Sequence, residues 1–159
     1  MKQGFDDNDE RGGLLMSGPQ EWNDDQRAVW EATLEIYRGF LAKDRWRIDR
    51  NLDSNGTFWD SEEAELICGK AELDAARDRR PLAGDGPTVV ALEATDPVID
   101  VWVDTALARH WLTVGFAQDT RPAESVRVTT LWRRERSQWL AVHNHEDVRS
   151  SPRQPPVTR

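Results

Sequence analysis

Cysteine is almost absent from this chain, and its scarcity sets a first boundary. Cys68 stands alone among 159 residues, so no disulfide can form within the chain and nothing asks for an oxidising compartment. A cytoplasmic address is the expectation. Long hydrophobic runs are missing too: no segment approaches the roughly 20 apolar residues of a membrane span. The opening Met1-Lys2-Gln3-Gly4-Phe5-Asp6-Asp7 lacks the basic-then-apolar order of a secretory signal, and Asp9 and Glu10 extend an acidic run that opposes a transit peptide. Basic residues are outnumbered, 21 against 29 acids, for a net charge of -8. That deficit speaks against nucleic acid as a partner, because a phosphate backbone needs clustered lysine and arginine. Internal repeats and coiled-coil heptads are also lacking.

What is present fits one domain between two polar ends. An 18.2 kDa chain is long enough to bury roughly 70% of its unfolded surface around a single core. Residues 1–25 hold seven acids against two bases, and Gly12, Gly13, Gly18 and Pro19 interrupt them. After Arg149, the run Ser150-Ser151-Pro152-Arg153-Gln154-Pro155-Pro156 cannot hold a helix or a central strand. The expected organisation is a disordered acidic leader at 1–20, a domain at 21–148 and a disordered tail at 149–159.

Within the domain, Asn23-Asp24-Asp25-Gln26 has the order of a capping box. Val29, Trp30, Thr33, Leu34, Ile36, Tyr37, Phe40 and Leu41 then recur at helical spacing. A second short helix is expected at 45–52, presenting Trp46 and Leu52. Asn55-Gly56 turns the chain into a short strand, Thr57-Phe58-Trp59, closed by Asp60. Gly69 releases a third helix that Pro81 to Pro87 stops. From Thr88 the period becomes strand-like, with strands expected at 89–94, 98–103, 106–117, 125–134 and 138–147, joined by short turns. Three helices followed by antiparallel strands is the α+β order, with the helices packed on one face of a single sheet.

Candidate chemistry follows from these placements. His143 and His145 are two apart on a strand, so in a regular strand their rings leave the same face as Trp139 and Ala141. Facing a pocket they would exchange protons near neutral pH; facing elsewhere they satisfy hydrogen bonds at the end of the sheet. Two strand histidines supply only part of a zinc site, His110 is the one other histidine, and no metal is assigned. Asp60 sits beside Trp59, where apolar surroundings would favour a general base, with a turn or cap carboxylate as the alternative. Eight tryptophans offer core and interface packing, or pocket walls drawn from Trp46, Trp59 and Trp111. Trp102 and Trp132 would form an apolar outer patch if they face outward. Arg133, Arg134 and Arg136 at the last turn are expected to be solvated.

Thr130-Leu131-Trp132-Arg133-Arg134, a turn, and Trp139-Leu140-Ala141-Val142-His143-Asn144-His145 together resemble the closing hairpin of the nuclear transport factor 2-like superfamily. The likeness is strongest to SnoaL-like members and to the association domain of calcium/calmodulin-dependent protein kinases. The opening amphipathic helix, Thr57-Phe58-Trp59-Asp60, Gly69-Lys70-Ala71-Glu72-Leu73 and Asp104-Thr105-Ala106 agree in order, over residues 25–147. The family usually has glycine at the hairpin turn and a small or hydroxylic residue after the last histidine; this chain has Arg136-Ser137 and Glu146. The resemblance implies a cone-shaped, curved, mostly antiparallel (mixed) sheet wrapped around N-terminal helices, and a homodimer through the outer sheet face. It implies a small-molecule ligand in the interior, with Arg127 and Thr129 contributing to binding and a carboxylate near Asp60 abstracting a proton. The functions it allows are a cofactor-independent acid-base enzyme (isomerase, cyclase, dehydratase or hydrolase), or a non-catalytic association or ligand-binding module.

Overall fold

The computed structural model describes residues 21–80, 87–117 and 121–149. The expected leader at 1–20 and the tail from residue 150 lie outside the described residues, as does most of the stop after the third helix.

Helix α1 (Asp24–Ala42) begins at the capping box: the Gln26 N–H donates to Asn23 Oδ1 at 2.8 Å, and the Asn23 N–H donates to Gln26 Oε1 at 2.9 Å. Two of the orphan donors of the first turn are thereby satisfied. Lys43, in the left-handed region at φ 56°, closes α1, and Asp44 caps α2 (Arg45–Asp49). The helices meet at Gly39, where a Cβ would stand 2.8 Å from Ile48 Cγ1, so only glycine lets them approach this closely. Glu35 locks the joint by accepting from Arg47, Arg38 and Arg50. Hydrogen bonds from Arg47, and then Arg38, hold its carboxyl down to about 2. The second helix stops short of the expected Leu52 because that residue already belongs to a strand.

The strands are β1 (Leu52–Trp59), β2 (Ile67–Cys68), β3 (Val89–Trp102), β4 (Thr105–Phe116), β5 (Glu124–Glu135) and β6 (Gln138–Arg149), with α3 (Gly69–Arg79) between β2 and β3. They form one mixed sheet in the order β2-β1-β6-β5-β4-β3, in which only β1 and β6 run parallel. The architecture is the expected α+β one, with the helices on the concave face. Two expected strands, 89–94 and 98–103, prove to be one. Asp96, at φ 51°, and Pro97 form a register shift inside β3 rather than a hairpin turn. Proline is tolerated there because β3 is an edge strand with one unpaired side.

Alternation along the strands separates an inner face from an outer one. Ala106, Ala108, His110 and Leu112 of β4, with Val126, Val128, Thr130 and Trp132 of β5, are buried against the helices. One apolar cluster joins Val29, Ile99, Trp132, Trp139 and Ala141; another joins Phe58, Ile67, Leu73 and Ala76 under α3, and Leu52 packs against both. Trp132 is fully buried, whereas Trp102 is 56% exposed on the outer face. Arg134 departs from its expected solvation. It donates to Asp25 at 2.6 Å and to the Val103 carbonyl at 2.6 Å, and its guanidinium lies 5.0 Å from the Trp139 ring centre. No described helix is long and apolar enough to cross a membrane.

Candidate functional site

Between the two apolar clusters lies a part-enclosed cavity of about 120 Å³. Helix α1 contributes Thr33, Ile36 and Tyr37 to its wall, α2 Ile48, and α3 Leu73 and Arg77. Strand β1 contributes Leu52, Phe58 and, just past its end, Asp60; β5 and β6 supply Thr130, Trp132, Ala141, Asn144 and Glu146. The space is close to that of a cavity, about 150 Å³, that admits one benzene ring.

A bulge decides which residues of β6 reach this space. Trp132 pairs with Ala141 but Leu131 pairs with His143, so Val142 is an extra residue in the ladder. The strand alternates regularly up to Ala141 and changes phase there. Asn144 and Glu146 therefore take the inner positions, while His143 and His145 share rows with the exposed Leu131 and Thr129. The expectation that the two histidines leave the face of Trp139 and Ala141 is corrected by this one inserted residue. On the outer side, His143 Nδ1 lies 2.7 Å from the Thr57 hydroxyl.

The other candidates separate in the same way. Asp60 lines the cavity, accepts from Arg80 at 2.6 Å and from the Glu62 N–H at 2.9 Å. Arg127 and Thr129 alternate with the buried Val126, Val128 and Thr130 and point outward, where Arg127 pairs with Asp147. They cannot grip a ligand in the cavity. Trp46 is 70% exposed beneath the Arg50 guanidinium, and Trp59, in register with His145, is also exposed. Trp111 lies between the inward His110 and Leu112 on β4, so it belongs to the opposite face. None of these three tryptophans lines the cavity.

Beside Asp60, the polar groups that line it on β5 and β6 are ones that strand parity does not single out: Thr130, Asn144 and Glu146. Thr130 donates to Asn144 Oδ1 at 2.7 Å, and Asn144 donates to Glu146 Oε1 at 3.2 Å. Ser61 reaches the other Glu146 oxygen at 3.4 Å. Burial raises the Glu146 pKa, and the charge of Asp60 adds to the rise. Opposite them, Tyr37 Oη lies 2.6 Å from His110 Nε2. Burial pushes His110 down to about 4, so the ring is neutral at physiological pH. Burial also drives the Tyr37 hydroxyl well above its ordinary value, with the Glu146 charge adding. Arg77 lies in the wall but is committed to Asp49 at 2.8 Å and Asp74 at 3.3 Å. Among the described residues no group of three or more His, Cys, Asp or Glu could hold a metal ion. The one sequence signal for Glu146 was its position immediately after the last histidine.

A helix-backed concave sheet enclosing a cavity with two carboxyls defines an α+β pocket architecture. No protein-family model matches the chain, and no curated protein matches it. Solved structures do. The CaMKII hub of S. rosetta superposes with a TM-score of 0.66 at 23% identity, covering 77% of this chain and 95% of that one. A nuclear transport factor 2-like protein of unknown function from Pseudomonas putida gives 0.68 at 18% identity, covering 77% and 84%. A candidate aromatic ring hydroxylase from Novosphingobium aromaticivorans gives 0.67 at 15%, covering 84% and 94%. The chain has the nuclear transport factor 2-like fold, the fold also of calcium/calmodulin-dependent kinase association domains.

Proposed function

We propose that the chain is a small-molecule pocket protein of SnoaL-like type that acts by cofactor-independent general acid-base chemistry in the cytoplasm. The observation that carries this reading is the pair of unlike carboxyls on one cavity: Asp60 is held in an ion pair with Arg80, while Glu146 is half-buried with only long hydrogen bonds. Such divergent surroundings suit Asp60 to accept a proton from a bound substrate and Glu146 to return one. The reaction classes it suits are isomerisation, cyclisation, dehydration and hydrolysis. The test is a thermal-shift screen of small carboxylates, aromatic lactones and polyketide-like rings against wild type, Asp60→Asn and Glu146→Gln. Hits weakened by either substitution support the reading; hits indifferent to both, or none, refute it.

A second reading has its own observation. Val98, Trp102 and Val103 are each more than half exposed at one end of the outer sheet face, an apolar patch suited to a second copy of the chain. A homodimer through that face would make the chain an association module, with or without a working pocket. Sedimentation of Trp102→Glu decides it: loss of a wild-type dimer supports the interface, and an unchanged mass removes it.

A further inference from the structure

His110 carries an unused atom. Its Nδ1 is buried and has no hydrogen-bond partner among the described residues, while Nε2 meets the Tyr37 hydroxyl. A neutral imidazole has one N–H, so two arrangements exist. If Tyr37 donates to Nε2, the imidazole proton sits on Nδ1 as a donor with no acceptor among the described residues. If Nε2–H donates to Tyr37, Nδ1 is left with only a bare lone pair, and the Tyr37 proton is free for another acceptor. A buried N–H without an acceptor is the rarer defect. His110 is not part of the cavity wall but Tyr37 is, so only the second arrangement can be completed from the cavity.

We propose that the cavity takes a neutral, single-ring ligand bearing an oxygen acceptor, that the Tyr37 hydroxyl donates to that oxygen, and that His110 is the positioning residue that sets the hydroxyl's direction. This rests on the pocket reading above and adds the ligand class. Among the described residues of the wall a carboxylate ligand meets one cation, Arg77, which is taken by Asp49 and Asp74; Arg80, outside the wall, is paired with Asp60. An ammonium ligand brings no acceptor for Tyr37. A neutral carbonyl supplies the acceptor and asks for no counter-charge. The helix, strand and ring packing around Tyr37 fix the donor in advance, since Trp30 and Tyr37 both meet the His110 ring edge to face, at 5.3 Å and 5.7 Å.

The test uses the full chain and three probes of one shape: cyclohexanone, cyclohexanecarboxylate and methylenecyclohexane. Titrations are followed by NMR, with nitrogen-15 shifts reading the His110 tautomer. Cyclohexanone is expected to bind more tightly than either analogue, with His110 protonated on Nε2 in the complex. Tyr37→Phe should weaken cyclohexanone about tenfold and methylenecyclohexane less than about twofold. If Tyr37→Phe fails to fold, the wild-type tautomer decides: a proton on Nδ1 in the ketone complex overturns the proposal. Tighter binding of the carboxylate overturns the ligand class and leaves the pocket reading intact. Absence of binding by all three overturns both.

Discussion

Arg134→Ala removes a side chain that ties three distant segments together. The guanidinium donates to Asp25 at the start of α1, to Asp104 at 3.2 Å and to the Val103 carbonyl, and it covers the Trp139 ring. Its side chain is 29% exposed, so the two ion pairs count as screened ones of about 0.2–1 kcal/mol each. The carbonyl hydrogen bond adds about 1 kcal/mol and the ring contact about 0.5–1 kcal/mol. The expected loss is about 2–4 kcal/mol. Arg136 is two residues away on the same turn and exposed, so Arg136→Ala should stay within about 0.5 kcal/mol. Arg134→Lys should fall between, because an ammonium keeps the charge but not the planar fork. Urea unfolding followed by tryptophan fluorescence measures all three. With a slope of about 2 kcal/mol per molar urea, Arg134→Ala shifts the midpoint by about 1–2 M. Equal midpoints for Arg134→Ala and Arg136→Ala would refute the reasoning.

Two further outcomes follow from buried groups. His110 is neutral in the fold down to about 4 but takes a proton near 6.5 when unfolded, so its contribution is complete above 6.5 and is lost as pH falls through that window. The loss is on the order of 3 kcal/mol, and in melting curves across that range His110→Gln should flatten this part of the acid destabilisation. Gly56→Ala places a Cβ 3.0 Å from the Asp53 carbonyl and 3.2 Å from that of Ala141, both backbone atoms that yield little. A stability loss of about 1–3 kcal/mol is expected in calorimetry, and a neutral substitution would show that β1 can move away from β6.

Elements with strong local signatures were legible in the sequence. The capping box located α1, Gly69 located α3, and β4 to β6 fell within a few residues of expectation because alternation and turn residues agree there. The β3 kink was misread because Asp96-Pro97 is ordinary turn chemistry; edge position, which decides it, is a property of the sheet. Arg134 looked like any turn arginine since its partners are 30 and 109 residues distant. Asp60 was a candidate through its place after Trp59 and the family resemblance; it lines the cavity and also accepts from the Glu62 N–H as a turn carboxylate does. The histidines were misplaced because parity was carried through Ala141 unbroken, and the side-chain series cannot announce a bulge whose extra residue, Val142, is a normal strand former. Tyr37 and His110 meet only because α1 crosses β4.

The bulge at Val142 also bears on how this architecture can change its chemistry. Beyond it, β6 runs out of phase with its first half, so the interior is offered an amide and a carboxyl while two imidazoles face outward. Shifting the bulge itself beyond Glu146, so that Val142 pairs with Leu131, would turn both histidines inward and Asn144 and Glu146 outward without altering any of the four side chains. Position in the ladder, rather than residue identity, is the heritable variable at this wall.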